Sequence, residues 1–298
     1  MDKIRRNKLA IVLFILPAAM LFIGIIIIPI IMSAIYSFQN WDGMTQAEFV
    51  GFKNYAELFT SKSAGFVKTL GNAFLFAGLS VFIQLPIALG LALLISKGIK
   101  GESFFVTVFF IPVLISTVVI GQLWTKIYNP EYGILNIALN AVGLGSLKHT
   151  WLGDQNTALF AVFIPMLWQY VGYHMLLMYA GIKSISTDII EAARIDGATQ
   201  WQISKSIIIP MIKPVIRICV IFAVTGSLKA FDLIYVLTGG GPAHASEVPS
   251  TLMVSMIFRR NRYGFGSTIA VMIIFLCFFF AILIKKFFKT EEDLEVKK

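Results

Sequence analysis

Six long apolar runs, separated by more polar connections of different lengths, dominate the pattern of this chain. A helix that crosses a bilayer needs about 20 mostly apolar residues, and none of these runs contains Asp or Glu. The first run is too long for the apolar region of a signal peptide, so we expect it to remain as a span. The predicted transmembrane helices are residues 9–38, 69–95, 103–124, 157–182, 207–228 and 267–284.

The composition supports an all-α integral membrane protein that forms a single domain, 1–298. Hydrophobic residues make up 57% of the 298 residues and charged residues only 14%, whereas soluble proteins carry about 25% charged residues. The net charge of +9 does not indicate nucleic acid binding, because Lys and Arg cluster at the ends of the apolar runs, as in membrane proteins generally. Cys219 and Cys277 lie in apolar segments and resemble small buried hydrophobes, and the three histidines have no ligand spacing.

The distribution of Lys and Arg predicts the orientation. The N-terminus, the 96–102 and 183–206 connections and the C-terminal tail hold fourteen Lys and Arg, and the three longer connections hold nine. Because the denser set marks the cytoplasm, we expect both termini and the 183–206 loop to be cytoplasmic.

The 183–206 loop is the most sharply patterned polar segment. Asp188 can cap a helix with Glu191 in a capping-box pair, and Thr199 with Gln202 can cap a second one. Gly197 between them can take the left-handed conformation that ends a helix. The central segment 191–198 is acidic and built of small residues, whereas a helix lying in the membrane interface is rich in Lys, Arg and bulky apolar residues. We therefore expect a helix–turn–helix that docks on a protein, with an interfacial helix as the alternative.

Polar and aromatic side chains in the fourth run are candidates for a solute path, which needs a few convergent hydrogen-bonding groups and aromatic faces. They are Trp168, Gln169, Tyr170, Tyr173 and His174. Helix packing and anchoring at the interface are equally open explanations for this cluster.

Two charged groups on the predicted outer side have alternative explanations. Lys229 and Asp232 are three residues apart, and a local ion pair is favoured over contact with a solute. A basic cluster at Arg259, Arg260 and Arg262 runs against the positive-inside trend, and its hypothetical role is contact with acidic residues of a docking protein.

The loop sequence EAARIDGA (191–198), followed by I-x-x-P-x-x-x-P, resembles the EAA loop of permease subunits of binding-protein-dependent ABC importers. FVGFKNYAELF (49–59), LALLISKGIKGESFFVTVFFIPVLISTVVIGQLWTKIYNPEYGILN (91–136) and FDLIYVLTGGGP (231–242) are similar to other segments of the sugar permeases. The resemblance covers nearly the whole chain. It is greatest to the first of the paired permeases of the maltose, multiple-sugar and glycerol-3-phosphate systems.

The resemblance implies a fold, partners and two sets of functional residues. The fold is the six-helix type I ABC importer permease, and the partners are a second permease in a heterodimer, two ATPase subunits and an extracellular or periplasmic solute-binding protein. The chain would be a multi-pass protein of a bacterial or archaeal plasma membrane that carries a sugar. The residues implied to contact the ATPase are Glu191, Ala192, Ala193, Asp196, Gly197 and Ala198. The residues implied to line the sugar path are Gln169, Tyr170, Tyr173, Gly226, Ser227 and Ala230.

ATP chemistry is expected on another chain. No G-x-x-x-x-G-K-[ST] phosphate-binding motif is present, and Pro242 directly after Gly239–Gly241 indicates a turn. We therefore expect no catalytic residue, cofactor or metal site in this chain, with ATP and Mg²⁺ used by the partner ATPase.

Three other functions remain as alternatives. An ion-coupled secondary transporter usually has internal repeats and ionisable groups within its spans, and a membrane enzyme needs a convergent catalytic cluster; the sequence displays neither pattern. An importer of a non-sugar solute, such as glycerol 3-phosphate, shares the same motifs.

Overall fold

The computed structural model describes residues 8–61 and 65–288. The predicted basic N-terminal cluster at Lys3, Arg5 and Arg6 and most of the basic tail lie outside these residues. The regular secondary structure of these residues is helical apart from a two-residue antiparallel pair, β1 (Gln39–Asn40) and β2 (Glu48–Phe49), in which Gln39 pairs with Phe49.

Sixteen α-helices form within the described residues. They are α1 (Lys8–Phe22), α2 (Ile28–Tyr36), α3 (Lys53–Thr60), α4 (Phe66–Leu79), α5 (Leu85–Ile95), α6 (Glu102–Leu114), α7 (Thr117–Ile127), α8 (Ile134–Ala141), α9 (Ala158–Lys183), α10 (Thr187–Ile195), α11 (Gln200–Ile203), α12 (Ile209–Met211), α13 (Lys213–Leu228), α14 (Asp232–Leu237), α15 (Pro249–Val254) and α16 (Tyr263–Phe287). Four π-helical turns, Ile23–Ile27, Ser80–Gln84, Ser204–Ile208 and Ser255–Arg259, and a 3₁₀ turn, Gly145–Leu147, complete the helical structure.

Five helical segments of the described chain are long and apolar enough to cross a membrane. They are Val12–Tyr36, Phe66–Ile95, Ala158–Lys183, Lys213–Leu237 and Tyr263–Phe287. Each overlaps a predicted span, so the predicted helical membrane architecture is confirmed, whereas the orientation of the termini stays a prediction.

The fifth span begins later than the predicted residue 207. Ile212 leaves the helical conformation, with φ −88° and ψ 9°, and α13 restarts at Lys213 with Pro214 in its first turn. Proline fits there because the first backbone N–H groups of a helix have no partner within it. The approximate start at residue 207 and the restart at Lys213 differ because hydropathy does not distinguish a continuous helix from a restarted one.

The third predicted span is broken. Helices α6 and α7 meet at an angle of 95°, and together they are long enough for one span. Ile115 and Ser116 between them are extended, with ψ angles of 136° and 132°. Pro112 in the last turn of α6 removes a backbone donor there, so an uninterrupted helix over 103–124 was the wrong expectation.

The chain divides into two compact units, Met1–Gly65 with Leu252–Ile274 and Phe66–Thr251 with Phe275–Lys298. The division does not test whether residues 1–298 form a single membrane domain, so that expectation stays a prediction.

Hydrogen bonds around the end of α2 organise the first unit. Asn54 Nδ2 donates to the carbonyl oxygens of Ser37 (3.0 Å) and Gln39 (2.9 Å). Thr268 Oγ1 on α16 also donates to the Ser37 carbonyl, at 3.1 Å. A Cβ on Gly264 would overlap the Gln39 carbonyl oxygen. The buried polar groups of Ser37 and Asn54 thus have partners, and glycine lets α16 pack closely on this segment.

The turn between β1 and β2 is held by the Asp42 carboxylate. Its Oδ1 accepts hydrogen bonds from the backbone N–H groups of Met44 (3.0 Å) and Thr45 (2.8 Å) and from the Thr45 hydroxyl (2.8 Å). These donors stabilise the charged form and lower the pKa of Asp42 to about 2.

An ion pair joins α3 to the start of α16 in the same unit. The Arg262 guanidinium donates two hydrogen bonds of 2.8 Å to the two Glu57 carboxylate oxygens. These bonds hold the pKa of Glu57 below its usual value. Arg262 therefore has a partner inside this chain, while Arg259 and Arg260 are exposed.

Helix α9 is central to the second unit. It packs on α5, α6 and α13, and half of its residues within the span are buried. Gly172 allows the close approach of α6, because a Cβ there would overlap the Phe109 carbonyl oxygen. The fourth span is thus a core helix that carries polar and aromatic side chains into the middle of this unit.

We predict that Glu57→Gln lowers the free energy of unfolding by about 0.5–1 kcal/mol near neutral pH, because the bidentate pair is lost. Since the folded-state pKa of Glu57 lies below 4.5, the pair stabilises the folded protein above that pH. Its contribution disappears as the pH falls through the lowered pKa. Thermal unfolding of both proteins across this pH range measures the difference.

Glu48→Gln is the matched control for Glu57→Gln, because Glu48 is exposed and has no ion-pair partner within the described chain. A difference between wild type and Glu57→Gln that stayed constant at acidic pH, or an equal effect of Glu48→Gln, would contradict the assignment.

Candidate functional site

A cavity of about 600 Å³ opens among the spans of the second unit. Its wall combines hydroxyl, amide, aromatic and charged side chains. The lining residues are Ser80, Gln84, Thr117, Met166, Tyr170, Tyr173, His174, Phe222, Ala223, Thr225, Gly226, Ser227, Lys229, Ala230, Phe231, Asp232, Leu233 and Ile234.

Irregular backbone segments border this cavity. The π-helical turn Ser80–Gln84 contributes its first and last residues, and Thr117 lies directly after the break between α6 and α7. Lys229–Phe231, where the chain passes from α13 to α14, lines the cavity with all three residues. Non-helical backbone at membrane depth is tolerated where it is buried in protein or faces a water-filled space. The cavity therefore has the surroundings of a solute path.

Five of the six residues proposed for the sugar path line the cavity. They are Tyr170, Tyr173, Gly226, Ser227 and Ala230. The sixth, Gln169, is only 2% exposed and lies behind the wall, where its Nε2 donates to Thr117 Oγ1 at 3.3 Å. The structure thus brings the two predicted helices together around one space, while contact with substrate stays a prediction for all six residues.

The aromatic cluster of the fourth span divides between two environments. Trp168 packs against Trp124 of α7, with ring centroids 6.1 Å apart. Tyr170, Tyr173 and His174 line the cavity instead. Packing thus explains Trp168, whereas the other three side chains border the space that a solute would occupy.

Sequence reasoning missed the contribution of the second and third spans. Ser80 and Gln84 are buried polar residues four positions apart on the wall, and Ser80 Oγ lies 3.4 Å from Ser227 Oγ. Two polar residues at helical spacing inside an apolar run could have identified this face. Thr117 was hidden because a single continuous third helix was expected.

Lys229 and Asp232 both line the cavity. No ion pair joins them in the described part of the chain, so the expected local pair is not formed. Both residues are exposed. The cavity wall therefore offers one cation and one anion beside its aromatic and hydroxyl groups, a set suited to holding a polar solute.

The predicted helix–turn–helix follows α9. The residue that caps helix α10 lies two positions before the predicted Asp188. Ser186 Oγ accepts a hydrogen bond from the Asp188 backbone N–H at 3.3 Å. Asp188 lies in the first turn, where its charge is favourable near the helix N-terminus. Ser186, not Asp188, is thus the capping residue.

Gly197 ends α10 as predicted. It has φ +80°, its N–H donates to the Arg194 carbonyl, and the Ala198 N–H donates to the Ala193 carbonyl at 2.9 Å. These bonds form a Schellman motif. The predicted capping box also forms, with Thr199 N–H donating to Gln202 Oε1 at 2.7 Å.

The six proposed ATPase-contact residues lie on different faces of the loop. Glu191, Ala192, Asp196 and Gly197 are exposed, whereas Ala193 and Ala198 are half-buried and pack towards the apolar core. Ile195 and Trp201, which sequence reasoning left out of this set, are 86% and 71% exposed. The exposed face is therefore more apolar than the predicted small acidic surface.

Glu191 also lines a second, smaller cleft. This cleft has a volume of about 200 Å³, and its charged lining residues are Lys97, Lys183, Glu191 and Arg194. Glu191 is thus placed between the loop and the ends of α5 and α9.

The family model that matches the chain is described as the binding-protein-dependent transport system inner membrane component, and the match covers residues 84–289. It includes the cavity walls from Gln84 onwards and the whole helix–turn–helix loop.

Curated relatives match over most of their length. The probable ABC transporter permease protein YurN of Bacillus subtilis is 38% identical over 97% of this chain and 99% of its own. The multiple-sugar-binding transport system permease protein MsmF of Streptococcus mutans is 33% identical over 82% of this chain and 83% of its own. The trehalose/maltose transport system permease protein MalF of Thermococcus litoralis is 31% identical over 98% and 97%.

A solved structure has the same fold. A chain of a bacterial alginate ABC transporter, crystallised in complex with an alginate pentasaccharide-bound periplasmic protein, superimposes with a TM-score of 0.82. The two chains are 23% identical, and the match covers 97% of this chain and 98% of the other. At this identity the likeness concerns the fold alone.

We predict that Gly226→Phe fills the cavity without disturbing the helix, because a Cβ at Gly226 meets no atom within 4 Å. The measurement is the labelling rate of a Thr225→Cys variant by a water-soluble thiol reagent, with Cys219 and Cys277 changed to alanine. Thr225 lines the cavity, so adding Gly226→Phe should slow labelling several-fold.

Gly90→Phe is the matched control for Gly226→Phe. Gly90 also has open space for a side chain, but it lies outside the cavity lining. Equal labelling rates with and without Gly226→Phe, or the same slowing by Gly90→Phe, would contradict the placement of Thr225 and Gly226 on the cavity wall.

Proposed function

The chain belongs to the family of inner membrane components of binding-protein-dependent transport systems, and on this premise we propose that it forms the translocation path of an ATP-driven carbohydrate importer. The cavity among its spans is the observation that carries the proposal. A family member that crosses the membrane and encloses a polar, aromatic space has the means to pass a polar solute.

The chemistry of the cavity suits a sugar. Tyr170, Tyr173, Phe222 and Phe231 provide aromatic faces, which can pack against the apolar faces of a pyranose ring. Ser227 and the neighbouring amide and hydroxyl groups provide hydrogen-bond partners for sugar hydroxyls. Gly226 and Ala230 leave room for the ring.

The printed names of relatives support the same substrate class. The relatives from Streptococcus mutans and Thermococcus litoralis are named for multiple sugars and for trehalose and maltose. A non-sugar solute such as glycerol 3-phosphate is the alternative that the cavity favours most, because Lys229 places a cation on its wall.

The helix–turn–helix loop is proposed to couple the path to ATP hydrolysis. Its exposed apolar side chains, Ile195 and Trp201, offer an apolar surface to a protein partner, and the Schellman motif and capping box hold them in a fixed arrangement. The proposed contact set comprises Glu191, Ala192, Ala193, Asp196, Gly197 and Ala198, to which the structure leads us to add Ile195 and Trp201.

The proposed assembly contains a second permease, two ATPase subunits and a solute-binding protein on the outer side. In this arrangement the chain lies in a bacterial or archaeal plasma membrane with both termini in the cytoplasm. It binds no cofactor itself, and ATP and Mg²⁺ are used by the ATPase subunits.

The experiment that tests this function uses the complex reconstituted in lipid nanodiscs with its ATPase subunits and solute-binding protein. We expect ATP hydrolysis to rise on addition of the binding protein with its sugar, identified by a panel of mono- and oligosaccharides and glycerol 3-phosphate. Stimulation by glycerol 3-phosphate alone would overturn the carbohydrate assignment. Absence of stimulation by every solute would overturn the importer assignment.

We predict that Gly197→Val impairs coupling. A β-branched residue at φ +80° is strained by about 1–2 kcal/mol relative to glycine, so the Schellman motif should open and displace Ile195 and Trp201. Membrane insertion should be unchanged, while the amount of ATPase that co-purifies with the permease should fall.

Gly197→Asn is the matched control, because asparagine adopts the left-handed conformation more readily than other residues and open space surrounds Gly197. It should retain most of the co-purified ATPase. Normal co-purification with Gly197→Val, or equal losses with both variants, would contradict the proposed role of this loop conformation.

A further inference from the structure

A carboxylate at the start of α6 holds the end of α9. Glu102 Oε1 lies 2.6 Å from Lys183 Nζ and also accepts a hydrogen bond from the Tyr179 hydroxyl. The Lys183 ammonium lies 5.5 Å from the centroid of the Tyr179 ring. Three side chains from two helices thus form one mutually bonded cluster, Glu102–Tyr179–Lys183.

The cluster suits the ends of both helices. Tyr179 and Lys183 are four residues apart and share one face of α9. Glu102 lies in the first turn of α6 and Lys183 in the last turn of α9, where their charges complement the helix dipoles. The Glu102 side chain is only 20% exposed, so the bonds from Lys183 and Tyr179 form where the carboxylate is partly shielded from water.

The cluster lies directly before the helix–turn–helix loop. Lys183 is the last residue of α9, and α10 begins at Thr187. Between them the Ser184 N–H donates to the Ala180 carbonyl and the Ile185 N–H to the Ile182 carbonyl. The connection is therefore short and partly hydrogen-bonded, so only three residues separate Lys183 from the start of α10.

The same helix pair is joined again at the cavity. Gly172 of α9 lets the α6 backbone approach at Phe109. Nearer the cavity, Gln169 donates to Thr117, which follows the break after α6 and lines the wall. α6 is thus held to α9 at its loop end, in its middle and beyond its cavity end.

We propose that Glu102, Tyr179 and Lys183 are positioning residues that transmit movement of the 184–199 loop through α6 to the cavity wall at Thr117. The inference rests on the proposed function, because it assigns the path by which loop and cavity are coupled. Without the cluster, the loop end of α6 loses its polar attachment to α9, so movement of α10 would reach Thr117 less completely.

The test uses the reconstituted complex and the variants Glu102→Gln, Tyr179→Phe and Lys183→Gln. The measurement is the ratio of ATP hydrolysis with and without the sugar-loaded solute-binding protein. We expect Glu102→Gln to reduce this stimulation by about fivefold or more, because coupling between two sites typically changes the affinity at each by at least about fivefold. The double variant Glu102→Lys with Lys183→Glu should recover part of it, because the ion pair is restored with its charges exchanged.

Two controls separate positioning from a structural role. Glu131→Gln changes an exposed glutamate outside the cluster and should leave stimulation unchanged. Amide hydrogen exchange in residues 184–199 should be faster in Glu102→Gln than in Glu131→Gln, while co-purified ATPase stays at the wild-type level and the thermal midpoint falls no further than in Glu57→Gln.

The inference is overturned if Glu102→Gln keeps the wild-type stimulation. It is also overturned if stimulation falls only in proportion to the amount of assembled complex and the charge exchange recovers nothing, since that is the signature of a structural ion pair. If the wild-type complex itself shows no stimulation, the proposed function fails and this inference fails with it, whatever the variants do.

Discussion

A backbone amide inside a bilayer has no water to bond, so it must find its partner within the protein. Uninterrupted helices meet this constraint, and the spans Ala158–Lys183 and Tyr263–Phe287 do so. The constraint also indicates where helices can stop. The break between α6 and α7 and the passage from α13 to α14 both border the cavity, where polar side chains and a solvent-accessible space can satisfy the released groups. The breaks and the cavity are therefore parts of the same feature.

The same arrangement links the cavity to the loop that is proposed to receive the ATPase. Helix α9 has cavity-lining side chains in its middle and leads into α10 at its end. Because α9 is packed closely against α6 at Gly172, it is unsuited to independent movement. The α6–α9 pair has the cavity at its middle and the proposed docking loop at its end. A rigid pair of this kind can transmit a movement of the loop directly to the cavity.

Much of the fold follows from patterns that a single sequence displays. Hydropathy located the spans because burial in lipid demands long apolar runs, and Gly197 with the Thr199–Gln202 pair predicted the loop conformation because those residues act locally. The bend in the third span was not predicted, because hydropathy reports how apolar a segment is and not whether its backbone is continuous: Ile115 is apolar, yet it and Ser116 are extended after Pro112. Ser186 replaced Asp188 as the cap because several residues of one segment can compete for the same backbone donor.

The cavity was predictable only in part. Spacing from the loop placed Tyr170, Tyr173 and Gly226 on the right helices, but Ser80, Gln84 and Thr117 come from spans whose packing partners no local pattern reveals. The proposed passage of carbohydrate through this cavity depends on ATP. Its most direct test is uptake of radiolabelled sugar by vesicles that contain the whole complex and enclosed ATP, with ionophores present to collapse ion gradients. Uptake should persist with the ionophores and stop without ATP; uptake that followed an ion gradient and ignored ATP would exclude ATP-driven import.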